Sequence, residues 1–573
     1  LRGPVRYRPE FRDEMISYTE TRRQAKGTAL LLAAILAVAF ALRVWGLTWG
    51  LPNEHHYHSY HPDEVLIVSS SLNVDPLHKG LEGLNPHFFN YGSAFIYVVA
   101  GLTSVASGYG WIDLSAGEAP QAFIEGAKID LLGRCANVAF GVATVFLVYL
   151  LGRRLFGRTA GLIAAAALAV MPIHAAHCHY CTVDVSAAFW VTLCLLFAAR
   201  AAESRATVTF ALAGLTAGLA AATKYNMALV ALAPILVALS GAGRPRTRAL
   251  VALLIVAIGA VVGFTIGCPG WLIAPDEFSH GFGFELAHSQ RGDEIFVGTP
   301  VGWWYHLAYS FPLGLGWLLF LASMAGTAFA IFRAGRNDWI LLAWLLPFYA
   351  LIGASQVKFM RYVLPLTPVL AILAARFLSD FLAWARRPGR IASGAVSAVV
   401  LLQAALCCIS YCSLYAMEDP RDRAARWIED EIPQGETIGL SDVPWFYTPP
   451  INPWNGGAKT EREFYLDAAD WNWRFLITGF NPELVSLAVP EMAAFVTSDF
   501  ETEHKLRLRQ EGVERTLSIL RDRFGEPRRF HNTPWARWAN MKEPRWPHDW
   551  RYADPEILVY ALERGARPAQ GRP

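Results

Sequence analysis

As far as about residue 412 the chain alternates long apolar runs with short polar breaks. The runs begin near residues 28, 133, 159, 186, 207, 226, 249, 305, 338, 362 and 391. Each approaches the roughly 20 residues that cross a bilayer as a helix, so the pattern predicts eleven spans. One more run, residues 88–105, fits either a span or a helix lying on the membrane. Counting it as a span would throw the Arg153-Arg154 and Arg244-Arg248 loops to the outside. It therefore reads as a juxtamembrane or re-entrant segment inside one large loop, about residues 50–132. From about residue 415 the character changes to a mixture rich in Asp, Glu, Arg, Trp and Pro. There residues 422–431 carry helical periodicity, 437–440, 494–497 and 557–560 read as strands, and 503–524 as a charged helix. The expected fold is an α-helical polytopic membrane protein with a C-terminal extracytoplasmic α/β domain. Its divisions are a tail at 1–27, a membrane domain at 28–414 and a soluble domain at 415–573.

Composition agrees: the 573 residues are 54% hydrophobic and only 17% charged, too apolar for one soluble domain. Lys and Arg (50) nearly balance Asp and Glu (48), so nothing in the charge suggests a nucleic-acid partner. The distribution matters more. Basic residues gather in the N-terminal tail (Arg2 to Lys26) and in the loops of Arg153/Arg154/Arg158, Arg200/Arg205, Arg244/Arg246/Arg248, Arg333/Arg336 and Arg386/Arg387/Arg390, that is, at every second connection. Because basic loops stay on the cytoplasmic side, the expectation is a multi-pass protein of the inner (plasma) membrane with a cytoplasmic N-terminus. The first run lacks a small-residue cleavage site and reads as a retained helix. No cysteine follows Cys412, so the soluble domain has no disulfide framework.

Charge is scarce on the outer loops, which makes each occurrence informative. His61-Pro62-Asp63-Glu64 places two acids just beyond the first span. Adjacent residues of a helix diverge by about 100°, so the pair implies two roles: Asp63 as general base towards a hydroxyl, Glu64 as holder of the loop or the substrate. The same tetrapeptide also suits a helix start, with Pro and acids at the positive end. Lys224, Arg291, Lys358 and Arg361 are nearly the only cations there at predicted helix ends. Such groups would hold a phosphate leaving group, or would snorkel to headgroups. The segment His174 to Asp184 packs His, Cys and Asp closely; it is a polar turn from which His179 and Asp184 reach the site, or part of a divalent-metal site shared with Asp63. Glu285 and His288, three apart and followed by Arg291, would share a helical face that shapes a sugar pocket or lies solvated on the membrane.

Taken in order, these motifs resemble the GT-C superfamily of polytopic glycosyltransferases, in the branch of the protein O-mannosyltransferases and lipid A aminoarabinose transferases. The resemblance covers about residues 28–384. It rests on Arg43 followed by His61-Pro62-Asp63-Glu64, on Asn85-Pro86-His87-Phe88-Phe89-Asn90-Tyr91, on Gly152-Arg153-Arg154-Leu155-Phe156-Gly157-Arg158, on Cys178-His179-Tyr180-Cys181-Thr182-Val183-Asp184, on Thr223-Lys224-Tyr225-Asn226 and on Lys358-Phe359-Met360-Arg361-Tyr362-Val363-Leu364-Pro365. What it implies is transfer of a sugar from a polyprenyl-phosphate carrier to a lipid, glycan or protein acceptor on the outer face, with inversion at the anomeric carbon. Asp63 is then the base, with Glu64 and Asp184 supporting it. Arg43, Lys224, Arg291, Lys358, Arg361, Tyr362, His179, Glu285 and His288 are candidates for substrate and lipid phosphate. No cofactor is assigned, and a divalent metal on Asp63, His179 and Asp184 stays open. The rival class is a transporter or lipid-linked sugar flippase, which places its charges near the midplane and builds on inverted repeats.

Overall fold

The computed structural model describes residues 9–117, 119–240, 246–384, 387–452, 472–533 and 547–562. Among these, seven helices are long and apolar enough to cross a membrane, and the bent pair Arg158–Ala169 with Pro172–His179 (59°) makes an eighth. Thr207–Thr223, Tyr225–Leu239 and Trp317–Arg333 are shorter apolar helices at positions where the pattern predicts spans. The first span is the later part of a longer helix, Pro9–Val44. The run beginning near 305 is interrupted: its first turns end at Gly316, φ +83°, before the helix Trp317–Arg333. Glycine is needed there, because a left-handed helix end strains any residue with a Cβ. The ambiguous run forms Ala94–Gly108, 15 residues, shorter than a bilayer requires. Arg244 and Arg386 lie outside the described residues.

Two helices that flank the functional region touch backbone to backbone. Gly214 and Gly218 on Thr207–Thr223 face Gly259 and Gly263 on Arg246–Gly267. A Cβ on Gly218 would lie 2.1 Å from the Ala260 carbonyl oxygen, and one on Gly263 2.1 Å from that of Leu215. This small-xxx-small spacing allows the close approach by which helices associate in lipid. Lys224 follows the first helix directly, so the contact also fixes its position. Gly218→Leu should separate the pair: purified in mild detergent, the variant should lose most of its monodisperse gel-filtration peak, whereas Ala231→Leu nearby should keep it.

Among the described residues the C-terminal domain holds a five-stranded sheet, order β2-β1-β3-β5-β4, built from β1 (Thr437–Leu440), β2 (Arg474–Ile477), β3 (Met492–Ser498), β4 (Arg528–Phe530) and β5 (Ile557–Ala561). β1 pairs in parallel with β2 and β3, while β5 runs antiparallel to β3 and β4. The anticipated 503–524 helix is two, Asp499–Arg507 and Glu511–Phe524, separated at Arg509, whose φ is +53°. The domain is docked on the membrane part through polar and aromatic contacts. Trp49 Nε1 donates to Asp419 (3.0 Å), Tyr60 donates to Asp422, the Arg421 guanidinium lies 3.7 Å above the Tyr60 ring, and Trp550 stacks on Tyr411 at 3.7 Å.

Candidate active site

Two acid–base pairs meet on the side of the membrane where the soluble domain sits. Asp63 caps the helix Glu64–Leu72, and its Oδ2 lies 3.1 Å from Nη2 of Arg361. Asp184 opens the helix Asp184–Ser204 and accepts from Lys224 Nζ at 2.8 Å. The pairs are joined through residues 361–362: the Lys224 ammonium stands 4.9 Å from the Tyr362 ring centroid and 6.0 Å from that of Tyr91. His177 interacts electrostatically with all four charges, and its Nδ1 has no partner among the described residues. Asp63 retains 19% side-chain exposure, Asp184 only 3%. Only the first acid is accessible to an incoming group.

Lys224, Tyr91 and Tyr362 line a cavity of about 550 Å³, together with Asn90, Asn226, Glu285 and Gln356. Tyr225 and Phe282 belong also to a neighbouring apolar groove of about 540 Å³, walled by Ala221, Val261, Phe264 and Phe278. A chamber of mixed polar and apolar walls, with Lys224 and Glu285 in it, and a greasy furrow thus share a wall.

Asp63 is held from behind. His61 accepts a hydrogen bond from the Asp63 peptide N–H through Nδ1 (3.3 Å), and burial pushes the His61 imidazole down to about 3, so it is neutral and able to accept. Glu64 turns the other way. Its two oxygens take Arg134 Nε (2.8 Å) and Nη2 (2.7 Å), it also accepts from Ser59 and from the Cys181 N–H (2.6 Å), and the pair has no exposed surface. Burial works to raise the Glu64 carboxyl, but Arg134 outweighs it and holds the group below its usual value.

Several candidates therefore move out of the site. Glu64 is a structural ion-pair partner, too deeply enclosed to touch a substrate. Arg43 is wholly buried and spends its guanidinium on the carbonyls of Ala39, Leu168 and Ala169 and on His174 Nδ1. His179 presses both ring nitrogens on carbonyls, Nδ1 on Ala175 (3.1 Å) and Nε2 on Trp45 (3.0 Å), and stacks on Tyr415 at 4.2 Å. Within Pro275–Arg291, Glu285 reaches the cavity, whereas His288 stacks on Phe284 and Arg291 is exposed at the helix end. Lys358 points away from Lys224, towards Thr299 Oγ1 at 3.0 Å. The metal triad does not fit either. Asp63 and Asp184 already face cations and His179 faces carbonyls, and no group of three or more His, Cys, Asp or Glu among the described residues could hold a metal ion.

The soluble domain contributes residues that sequence reasoning missed. Both Asp549 oxygens accept backbone N–H groups of the site loop, from Met360 (2.8 Å) and Arg361 (2.9 Å), and Tyr552 shares a side-chain hydrogen bond with Arg361. Burial pushes the Asp549 carboxyl up, against the pull of Arg361 and these N–H groups. Hydrogen bonds to a charged group are worth about 1.5–3 kcal/mol each. Asp549→Ala should free the loop and lower turnover by about 10- to 100-fold, with Asp549→Asn, which keeps one acceptor, in between. Hydrogen exchange at the amides of 360 and 361 should rise in the same order.

Residues 128–267 match the family model described as dolichyl-phosphate-mannose-protein mannosyltransferase. The matched stretch contains Arg134, His177, Asp184 and Lys224; Asp63 and the 358–362 loop lie outside it. No curated protein matches this chain by sequence. Among solved structures, the apo form of ArnT from Cupriavidus metallidurans is similar at TM-score 0.46 and 16% identity, covering 94% of this chain and 98% of that one. The Archaeoglobus fulgidus oligosaccharyltransferase in its apo form gives 0.45 and 15%, with 89% and 74% covered. That archaeal enzyme, AglB, is also similar in complex with an inhibitory peptide and a dolichol-phosphate, at 0.46 and 14%, with 96% and 75% covered.

Proposed function

We propose that this GT-C enzyme moves a sugar from a polyprenyl-phosphate carrier to an acceptor hydroxyl on the outer face of the plasma membrane, with inversion. The observation that carries the reading is the junction of the charged chamber with the apolar groove: a phosphate at Lys224 and Tyr362 leaves its isoprenoid tail in the furrow and its sugar near Asp63. Asp63 takes the proton of the acceptor hydroxyl as that oxygen attacks the anomeric carbon. The bond to the phosphate oxygen breaks, and Lys224 and Arg361 stabilise the negative charge that develops there. No enzyme nucleophile is needed. Sidedness is supported by the arginine distribution, which leaves the soluble domain outside.

The test removes the phosphate holder without stranding a buried carboxylate. Lys224→Met combined with Asp184→Asn should weaken binding of a fluorescent polyprenyl phosphate in nanodiscs by about 10- to 100-fold, the equivalent of one lost charged contact. Unchanged affinity would remove Lys224 from the donor site. Failure of the parent protein to release polyprenyl phosphate from any glycosylated carrier would remove the reading as a whole.

A further inference from the structure

On the far side of the Arg361 loop a second cluster of cations surrounds a small cavity of about 50 Å³, between residues 295–309 and the helix Asp499–Arg507. Thr299, Tyr305, Arg507, His548 and Arg551 line it, together with the carboxylate of Glu503. Lys358 stands behind the Thr299 wall: it is 5% exposed, donates to Thr299 Oγ1 (3.0 Å) and Phe296 O (3.5 Å), and has no carboxylate within 4.0 Å among the described residues. An ammonium left buried without a counter-ion is costly. Burial, and then Arg507, hold it below its usual value. Arg507 and Arg551 share Glu503, and Arg551 also reaches Asp499 at 2.9 Å. Asp549 acts on the Tyr305 wall and Glu294 on His504, so the two arginines are compensated and Lys358 is the cation of this seam with no carboxylate partner among the described residues. Nε of both arginines and Nδ1 of His548 have no partner among the described residues. Burial lowers His504 and His548, so both imidazoles are neutral and supply N–H donors without charge.

We propose that this seam is a second anion site, and that it holds the phosphate or carboxylate of a membrane-anchored acceptor. The acceptor role rests on the transferase reading above; the anion site does not. Two observations select an acceptor carried by the bilayer. The rim continues into exposed Val297, Val301, Trp303 and Trp304, the residue types that settle at the headgroup layer. One aromatic ring separates the cavity from the chemistry: Phe359 lies 6.1 Å from His548 on one side and 4.2 Å from the Arg361 guanidinium on the other. A headgroup anchored here presents a hydroxyl to Asp63 from the side opposite the donor chamber.

The experiment uses the full chain in phosphatidylcholine nanodiscs and measures saturable binding of inorganic phosphate, and separately of phosphatidic acid added to the lipid. Lys358→Met and Arg507→Gln should each weaken phosphatidic acid binding at least about 10-fold, Arg507→Lys should retain most of it, and the Lys224→Met/Asp184→Asn protein should bind as the parent does. Should Arg507→Gln not fold, Lys358→Met decides. Absence of saturable binding of either probe, or losses confined to the Lys224 variant, would overturn the site. Binding of inorganic phosphate without phosphatidic acid would overturn the membrane-anchored acceptor. An enzyme without transferase activity that still binds phosphatidic acid through Lys358 and Arg507 would sink the transferase reading and leave the anion site standing.

Discussion

Asp63→Asn is expected to lower sugar transfer by about 10³-fold or more while the protein inserts, folds and binds its donor as before. General bases contribute about 10² to 10⁴ in rate, and the proposed base is the more exposed acid of the two pairs, 19% against 3%. The substitution keeps the shape and removes the charge, so a purely structural role for Asp63 would appear as lost stability, not lost turnover. The distinguishing measurement pairs single-turnover transfer from a radiolabelled lipid-linked sugar with donor affinity. A fall in both would mean that Asp63 mainly orients Arg361, since the two are 3.1 Å apart. Asp184→Asn is the useful companion: it should weaken donor binding through Lys224 more than it slows the chemical step.

The largest effect on stability should come from Arg134→Met. Breaking a buried ion pair from one side costs about 3–5 kcal/mol, because the remaining charge keeps its desolvation penalty and loses its compensation. Glu64 would be left with Ser59 and the Cys181 N–H alone. Replacing both partners, Glu64→Leu with Arg134→Met, should recover part of the loss. Recovery should be incomplete, because the Leu47 and Trp49 carbonyls and the Cys181 N–H would then have no partner, at about 1–3 kcal/mol per unsatisfied group. Thermal unfolding in detergent, ranked across the single and double variants, checks the order.

Much of this could be read from the chain because charge is rare where lipid surrounds it. Asp63, Asp184, Lys224 and Arg361 stand out against apolar neighbours, and those four form the two pairs. Arg43, Glu64 and His179 stand out for the same reason, yet they satisfy carbonyls, an arginine and helix ends; scarcity marks a buried polar group without saying whether substrate or backbone is its partner. Asp549 and Tyr552 carried no such signal. Asp549 comes from a domain where acids are common, Tyr552 sits in no motif, and only tertiary docking brings them to Arg361. In the soluble domain, β1, β3 and β5 were legible from apolar runs, but Arg474 in β2 and Arg528-Arg529 in β4 mask the two outermost strands. Period alone also hid the break at Gly316, since apolar residues continue across it.

The grip of Asp549 on the peptide groups of Met360 and Arg361 has a consequence for biosynthesis. Almost two hundred residues separate the holder from what it holds, so the last membrane segment leaves the ribosome well before the centre can be completed. A nascent chain, or one cleaved beyond its final helix, would reside in the bilayer with Arg361 unanchored. The order of synthesis thus leaves completion of the candidate centre to the last-made part of the chain.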